Sequence, residues 1–286
     1  MDHVDVTLRD SLGLRPTTDP NRWQLELSPR VLTPAGALHG GAALAAAVEA
    51  LEGATDRPLV WATAQYLTHA GPTGTLDVEV STEVDGRRTS QMRASVRAGD
   101  IEVLMVLASL GTRDFPHDGR WVTPPDIDPP SERMRRVTGP PGAESLLDTH
   151  DIRIASGRAP EELDGSAGPG RSALWCRLPG GPRAVSAGDV ALVGDFLMLG
   201  LSTALGVMCT ANSLDHTIRV VERAATEWIL VDIQVDAAVG GYGHAGARLW
   251  TGDGVLLGTA TQTLVLREAD SLGRSARRGR RIVAGS

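Results

Sequence analysis

The chain has 286 residues, a net charge of −7, and 42% hydrophobic but only 3% aromatic residues. That length holds one large domain or two of ordinary size, and the acidic balance excludes a general electrostatic attraction to nucleic acid. Cys176 and Cys209 make neither a CxxC motif nor a disulfide framework, the pattern expected of a cytoplasmic protein.

The start, MDHVDVTLRD, is charged and lacks the apolar core of a secretory signal. Residues 23–27 (WQLEL) alternate like a strand. A Pro/Gly loop, SPRVLTPAGALHGG, leads into an alanine-rich helix predicted over 41–51 and closed by Gly53. Strands are predicted over 60–66, 75–84, 89–96 and 102–110, the last pair turning at Ala98-Gly99-Asp100. In LDVEVSTEV, Leu76, Val78 and Val80 share one face and Asp77, Glu79 and Ser81 the other, as in a half-buried antiparallel strand. Prolines from Pro116 to Pro141 rule out regular structure over most of 113–147, which reads as an extended surface linker.

The pattern then starts again. Strand 172–178 precedes the loop PGGPRAVSAG and an apolar run, 190–209 (VALVGDFLMLGLSTALGVMC), with strands following over 215–221, 227–239, 244–250 and 255–267. The run is hydrophobic on every side, which fits a helix wrapped by protein. Its length also suits a bilayer span of roughly 20 residues, but Asp195, the internal glycines and the strand-like flanks favour the buried helix. Landmarks recur at near-constant spacing: Trp23 and Trp175 are 152 apart, Val78 and Val231 are 153 apart, and so are Gly99-Asp100 and Gly252-Asp253. This indicates an internal duplication. Each half is a strand, a loop, a long helix and a meander, a two-layer α+β unit whose sheet wraps its helix. The expected division is 1–112, a linker over 113–147, a second unit over 148–268, and a basic tail over 269–286. Arg274, Arg277, Arg278, Arg280 and Arg281 in that tail suit either a solvated end or the phosphates of an anionic ligand.

With His39-Gly40-Gly41 ahead of the first helix, the repeated unit resembles the double hotdog. Three segments of the second half are similar to the type II, TesB-like acyl-CoA thioesterases: ALVGDFLMLG, SLDHTIRV and GDGVLLGTATQTLVLR. The resemblance implies a thioester hydrolase of fatty-acid metabolism acting on acyl-CoA. In that family an Asp on the helix, a Thr or Ser ahead of an Asp-His pair and a Gln on the last strand hold the attacking water. The matching positions are Asp195, Ser213 and Gln262, with Ser213 standing where Thr is expected. The family's aromatic residues after the Asp-His pair are missing, replaced by Thr217-Ile218-Arg219, which bears on substrate preference. The resemblance also implies a homo-oligomer, no cofactor, no nucleic-acid partner and no membrane span.

Each residue also has a plainer use. A carboxylate among apolar residues must be paired or hydrogen-bonded, so Asp195 either braces a loop or acts as a general base. In GTATQTLVLR the alternation puts Gln262 on the face of Ala260, Leu264 and Leu266, an inward amide that either satisfies the core or serves the site. Ser213 suits a turn, and without a GxSxG elbow it does not read as a nucleophile. Asp215 and His216, adjacent on a strand, face opposite ways and cannot pair with each other. His39-Gly40-Gly41 is either an ordinary glycine-rich helix start or a substrate-binding one, in which the Gly41 N–H faces the second helix and binds the oxygen that becomes negative. Glu49 stands where Asp195 stands in the other repeat. Ser109 falls at the place of Gln262 by the 153 offset, so the first half's polar set is incomplete and a structural role is expected for Glu49.

Gly241 to Gly246 matches GxGxxG but joins two strands, so it is no dinucleotide fingerprint. The histidines show no metal-ligand spacing. Two rivals to the hydrolase are a non-catalytic acyl or acyl-CoA binding module and a hotdog enoyl-CoA hydratase. The hydratases resemble GDxNPxH, where this chain reads GDFLMLG.

Overall fold

In the computed structural model, which describes residues 7–268, the alternating segments form one antiparallel 12-stranded sheet that closes twice around a helix. The first half contains α1 (Leu8–Leu12), β1 (Leu14–Pro16), β2 (Arg22–Glu26), α2 (Gly40–Gly53), β3 (Leu59–Tyr66), β4 (Thr75–Asp85), β5 (Thr89–Ala98) and β6 (Ile101–Gly111). The second opens with α3 (Leu146–Thr149), β7 (Ile152–Ser156), β8 (Arg171–Arg177) and β9 (Arg183–Ala184). It continues with α4 (Ala187–Val193), α5 (Met198–Leu205), β10 (Cys209–Val220), β11 (Ala225–Thr226), β12 (Trp228–Val239), β13 (Tyr242–Thr251) and β14 (Leu256–Glu268). β9 and β11 pair as a separate short ribbon. The arginine-rich tail lies outside the described residues.

The spatial order is β1-β2-β4-β5-β6-β3-β10-β14-β13-β12-β8-β7. It reads alike from either end once β3 is matched with β10, β6 with β14, β5 with β13, β4 with β12, β2 with β8 and β1 with β7. The halves meet along β3 and β10, where Thr63 stands opposite Thr217 and their hydroxyls bond at 2.7 Å. This is the double hotdog the resemblance implies.

Two details of the repeat differ from the sequence reading. The apolar run 190–209 is not one helix. α4 ends at Val193, Gly194 to Leu197 form a turn, and α5 follows. Within the turn the Asp195 and Phe196 N–H groups reach back only three residues, to the Leu192 and Val193 carbonyls at 3.3 Å. Gly194 permits this because it presses on β14, where a Cβ would meet that of Ala260 at 2.7 Å. α5 stops at Gly206, which holds φ +74°, so Cys209 already belongs to β10. The stretch Ala187–Leu205 is long and apolar enough to cross a membrane, yet most of it is buried within this fold.

The tryptophans at offset 152 are not equivalent either. Trp23 points inward, its ring against Gly53 at the end of α2. Trp175 points outward, into a satellite cluster with Leu230, Trp250 and Leu256. One residue of register exchanges the faces of a strand, and Leu174 rather than Trp175 joins the main core. The linker covers this outer cluster: Ile127 and Met134 pack on it, and the Trp175 indole N–H donates to the Asp128 carbonyl at 3.0 Å. The expected surface position of the linker therefore holds, with one side buried.

α2 and α4 lie antiparallel in the centre. Gly41, at the start of α2, packs so closely that a Cβ there would meet Asp195 Cβ at 2.6 Å and the Leu192 carbonyl at 2.8 Å. Gly188, at the start of α4, makes the matching approach: a Cβ would meet Glu49 Oε1 at 2.7 Å. Antiparallel packing sets each helix start against the other helix's end, the favourable arrangement of their dipoles. Glu49 thus occupies in the first half the place of Asp195 in the second.

Glu49 is employed structurally. Arg9 of α1 pairs with its carboxylate at 2.8 Å and with its backbone carbonyl at 3.1 Å. Burial pushes the Glu49 pKa up, and the Arg9 guanidinium opposes that rise. Arg9→Ala should therefore destabilise the fold by about 2 kcal/mol near neutral pH, the cost of an unsatisfied buried acceptor, tempered because Arg9 itself is partly solvated and screened. A carboxyl group whose pKa is raised on folding binds its proton more tightly in the folded chain, so its penalty is present above that pKa and relieved as pH falls through it. Urea denaturation should accordingly show the Arg9→Ala deficit shrinking as pH is lowered from neutral toward the ordinary glutamate range. A deficit independent of pH would mean that Glu49 is not the group Arg9 neutralises.

Candidate active site

Asp195 lies in the turn between α4 and α5, directly over the start of α2. Its side chain is 8% exposed. Oδ2 accepts the Gly41 N–H at 2.5 Å, and Oδ1 accepts the Gln262 amide N–H from β14. The first N–H groups of a helix have no partners within it and carry its positive end, so a carboxylate is well held there. His39, immediately before α2, brings Nδ1 to 3.2 Å from Asp195 Oδ2 without hydrogen-bond alignment, and its ring packs on Phe196 at 5.5 Å.

The sheet supplies the rest. Gln262 is 3% exposed, on the inward face its alternation predicts. On β10 the register places His216 opposite Gln262 and Ser213 opposite Leu264, with a bulge at Leu214 between them. Directly opposed residues share a face, so the bulge brings Ser213 and His216, an odd number apart, to the same inner side. Asp215 takes the other side, where its carboxylate accepts the Thr263 N–H at 2.9 Å. The two neighbours are therefore separated, as expected.

His216 cannot pair with Asp215, and the carboxylate it faces is Asp195. The side chain is 0% exposed, its Nδ1 lies 4.0 Å from Asp195 Oδ1, and neither ring nitrogen has a hydrogen bond. Burial lowers its pKa, partly offset by the charge of Asp195. Tyr66 at the end of β3 was also missed. Its hydroxyl is buried, has no partner and lies against Gly40, whose Cβ would stand 3.1 Å from it and 3.2 Å from Asp195 Oδ2. Burial, then the charges of Asp195 and Asp215, push the Tyr66 pKa well up. A search of the strands on both sides of the seam for inward polar residues would have found both.

Asp195, Gln262, His39, Gly40 and Gly41 are thus brought together. Ser213 faces the same interior, one step further along the sheet from Gln262, and makes no hydrogen bond to Asp195 or Gln262. The Gly41 N–H, expected to bind the oxygen that becomes negative, donates here to Asp195 Oδ2. In the first half, Ser109 faces outward and donates to Gln91 at 2.8 Å, while its neighbour Ala108 faces the core. Among the described residues no amide bonds the Glu49 carboxylate, which Arg9 holds instead.

Among the described residues no three His, Cys, Asp or Glu side chains converge as a metal-ligand set. Shallow grooves on the first half, one lined by Gly13, Arg15, Gln24 and Thr75 and one by His69, Gly71 and Leu76, contain none of the site residues. The arrangement at Asp195 can take a proton from a small molecule placed beside it, using a base fixed through both oxygens.

Comparison with known proteins gives a consistent assignment. Residues 28–111 match the family model for the acyl-CoA thioesterase N-terminal domain, and 123–266 match that for the C-terminal domain. The second match begins inside the segment read as linker, which here packs on the second half. A candidate thioesterase from Novosphingobium aromaticivorans is similar in structure, with TM-score 0.78 and 27% identity over 89% of this chain and 98% of that one. A hot dog fold protein from Alicyclobacillus acidocaldarius has TM-score 0.77 and 18% identity over 91% and 97%. Acyl-CoA thioesterase II TesB2 from Mycobacterium marinum has TM-score 0.68 and 17% identity over 90% and 96%. No curated protein matches the chain.

The contact at Gly41 is testable. An added methyl meets backbone as well as Asp195, so Gly41→Ala should lose about 1–3 kcal/mol by overpacking. A shift in the denaturant midpoint reads this, and a wild-type midpoint would mean that α2 and the turn do not touch as described.

Proposed function

Because the chain belongs to the acyl-CoA thioesterase family, we propose that it hydrolyses acyl-CoA thioesters to free acid and coenzyme A, with Asp195 as the base that activates water. The observation that carries this reading is one buried carboxylate held at once by a helix-start N–H of the first half and an amide of the second. Each oxygen keeps a lone pair beyond those bonds, enough to accept a proton without losing its anchor.

The chemistry balances with no further group. Water gives a proton to Asp195 as its oxygen bonds to the thioester carbon, and the carbonyl π pair moves onto oxygen. Return of that pair breaks the C–S bond. The departing thiolate takes the proton from the Asp195 carboxyl, which restores the base. A thiol pKa of about 8.5 makes this leaving group stable enough to go without a strong acid. Gln262 positions the base and the water. Ser213, turned inward by the bulge, is the third member of the water-holding set.

Asp195→Asn keeps the shape but not the basicity, so kcat should fall about 10²- to 10⁴-fold with binding retained. Ser213→Ala, which breaks no bond to Asp195, should cost no more than about tenfold, the worth of one neutral hydrogen bond. Thiol release from acyl-CoAs of graded chain length, followed with a thiol reagent, measures both. Full turnover in Asp195→Asn would remove Asp195 from the mechanism. Binding without turnover in the wild type at every chain length would leave an acyl-CoA binding protein.

A further inference from the structure

We infer that Tyr66, contributed by the first half of the chain, is a catalytic residue that donates its hydroxyl hydrogen to the thioester carbonyl oxygen as that oxygen becomes negative. The inference rests on the hydrolase reading above and adds to it a side-chain donor for the carbonyl oxygen.

Around Asp195, several side-chain atoms are buried with no hydrogen-bond partner among the described residues: His39 Nδ1, Tyr66 Oη, both ring nitrogens of His216, and Gln262 Oε1. A buried polar atom without a partner is costly and rare in a folded protein. Such atoms gathered at one carboxylate point to a ligand whose own groups complete them. Hydrolysis of a thioester makes two demands. The attacking water has two hydrogens to place, and the carbonyl oxygen needs a donor as charge builds on it.

Asp195 and Gln262 Oε1 are acceptors, so they meet the first demand. The second has no backbone answer at Gly41, whose N–H is engaged by Asp195. Tyr66 supplies one. Its hydroxyl lies at the α2 start, against Gly40, the same glycine that Asp195 Oδ2 abuts from its own side. Donor and base therefore lie beside one residue, close enough for one to meet the carbonyl oxygen and the other the attacking water of the same thioester. Burial and the neighbouring carboxylates keep the phenol protonated, so it remains a donor throughout the working pH range. A Cβ at Gly40 would stand 3.1 Å from the Tyr66 hydroxyl and 3.2 Å from Asp195 Oδ2, so both oxygens would have to give slightly to admit it.

A structural tyrosine and a catalytic one respond differently to Tyr66→Phe. Loss of an unpartnered buried hydroxyl should leave the denaturation midpoint unchanged or raise it, while kcat falls about 100-fold and KM stays within a few-fold. The companion measurement needs no turnover. Affinity is compared for a 2-oxoalkyl-CoA, in which a methylene between sulfur and carbonyl removes the scissile bond, and for the alkyl-CoA thioether without the oxygen. The wild type should prefer the ketone, and Tyr66→Phe should erase the preference. Unchanged kcat, an undiminished ketone preference, or activity lost together with stability would each overturn the assignment. A wild type that hydrolyses no acyl-CoA but shows the preference, with Tyr66→Phe losing it, would refute the hydrolase reading and leave Tyr66 as the carbonyl donor.

Discussion

The structure depends on the close crossing of two helix ends. Gly41 must lack a side chain for the start of α2 to reach the turn after α4, and the turn must break the helix there for Asp195 to meet the free N–H. Gly194 lets the chain tighten against β14, and the dipole of α2 rewards the negative charge it meets. The same contact that packs the two halves also fixes the base, so core packing and site geometry are here one constraint.

The outline of the fold was legible because β-alternation is a strong local signal. Ile229, Val231, Ile233 and Val235 are all buried, and Gln262 faces inward with Ala260 and Leu264, as the period of two requires. The approach of the Gly41 helix start to the second half's helix was legible once the halves were paired. What the sequence concealed were single-residue irregularities. The bulge at Leu214 reverses the parity that relates Ser213 to His216, so His216 could not be placed beside Asp195 from its sequence neighbours. The match of Trp23 with Trp175 was a coincidence of spacing that hides opposite faces. Tyr66 carried no motif, and its importance arises only from β3 lying next to β10 across the seam. The turn within 190–209 was invisible because glycine in an apolar run fits a buried helix as readily as a break.

The linker offers a related lesson. Its prolines were read as a surface path between units, and the path is indeed on the surface. The outward face of β8 and β12 nevertheless carries Trp175, Leu230 and Trp228, with Trp250 alongside on β13. An exposed aromatic patch of that kind is an aggregation hazard. Ile127 and Met134 cover it, so a segment without regular structure completes the second half's outer layer.

The chain's mirror-like strand order has a consequence beyond architecture. Two identical subunits joined by a two-fold axis would carry the same acid at both ends of the helix pair, and every substitution would appear twice. A single polypeptide holding both copies is released from that coupling. One end has been free to spend its carboxylate on a bond to Arg9, which ties down α1, while the carboxylate at the other end pairs with no arginine among the described residues. Division of labour between anchoring and chemistry is thus open to a fused pair in a way that it is closed to a symmetric one.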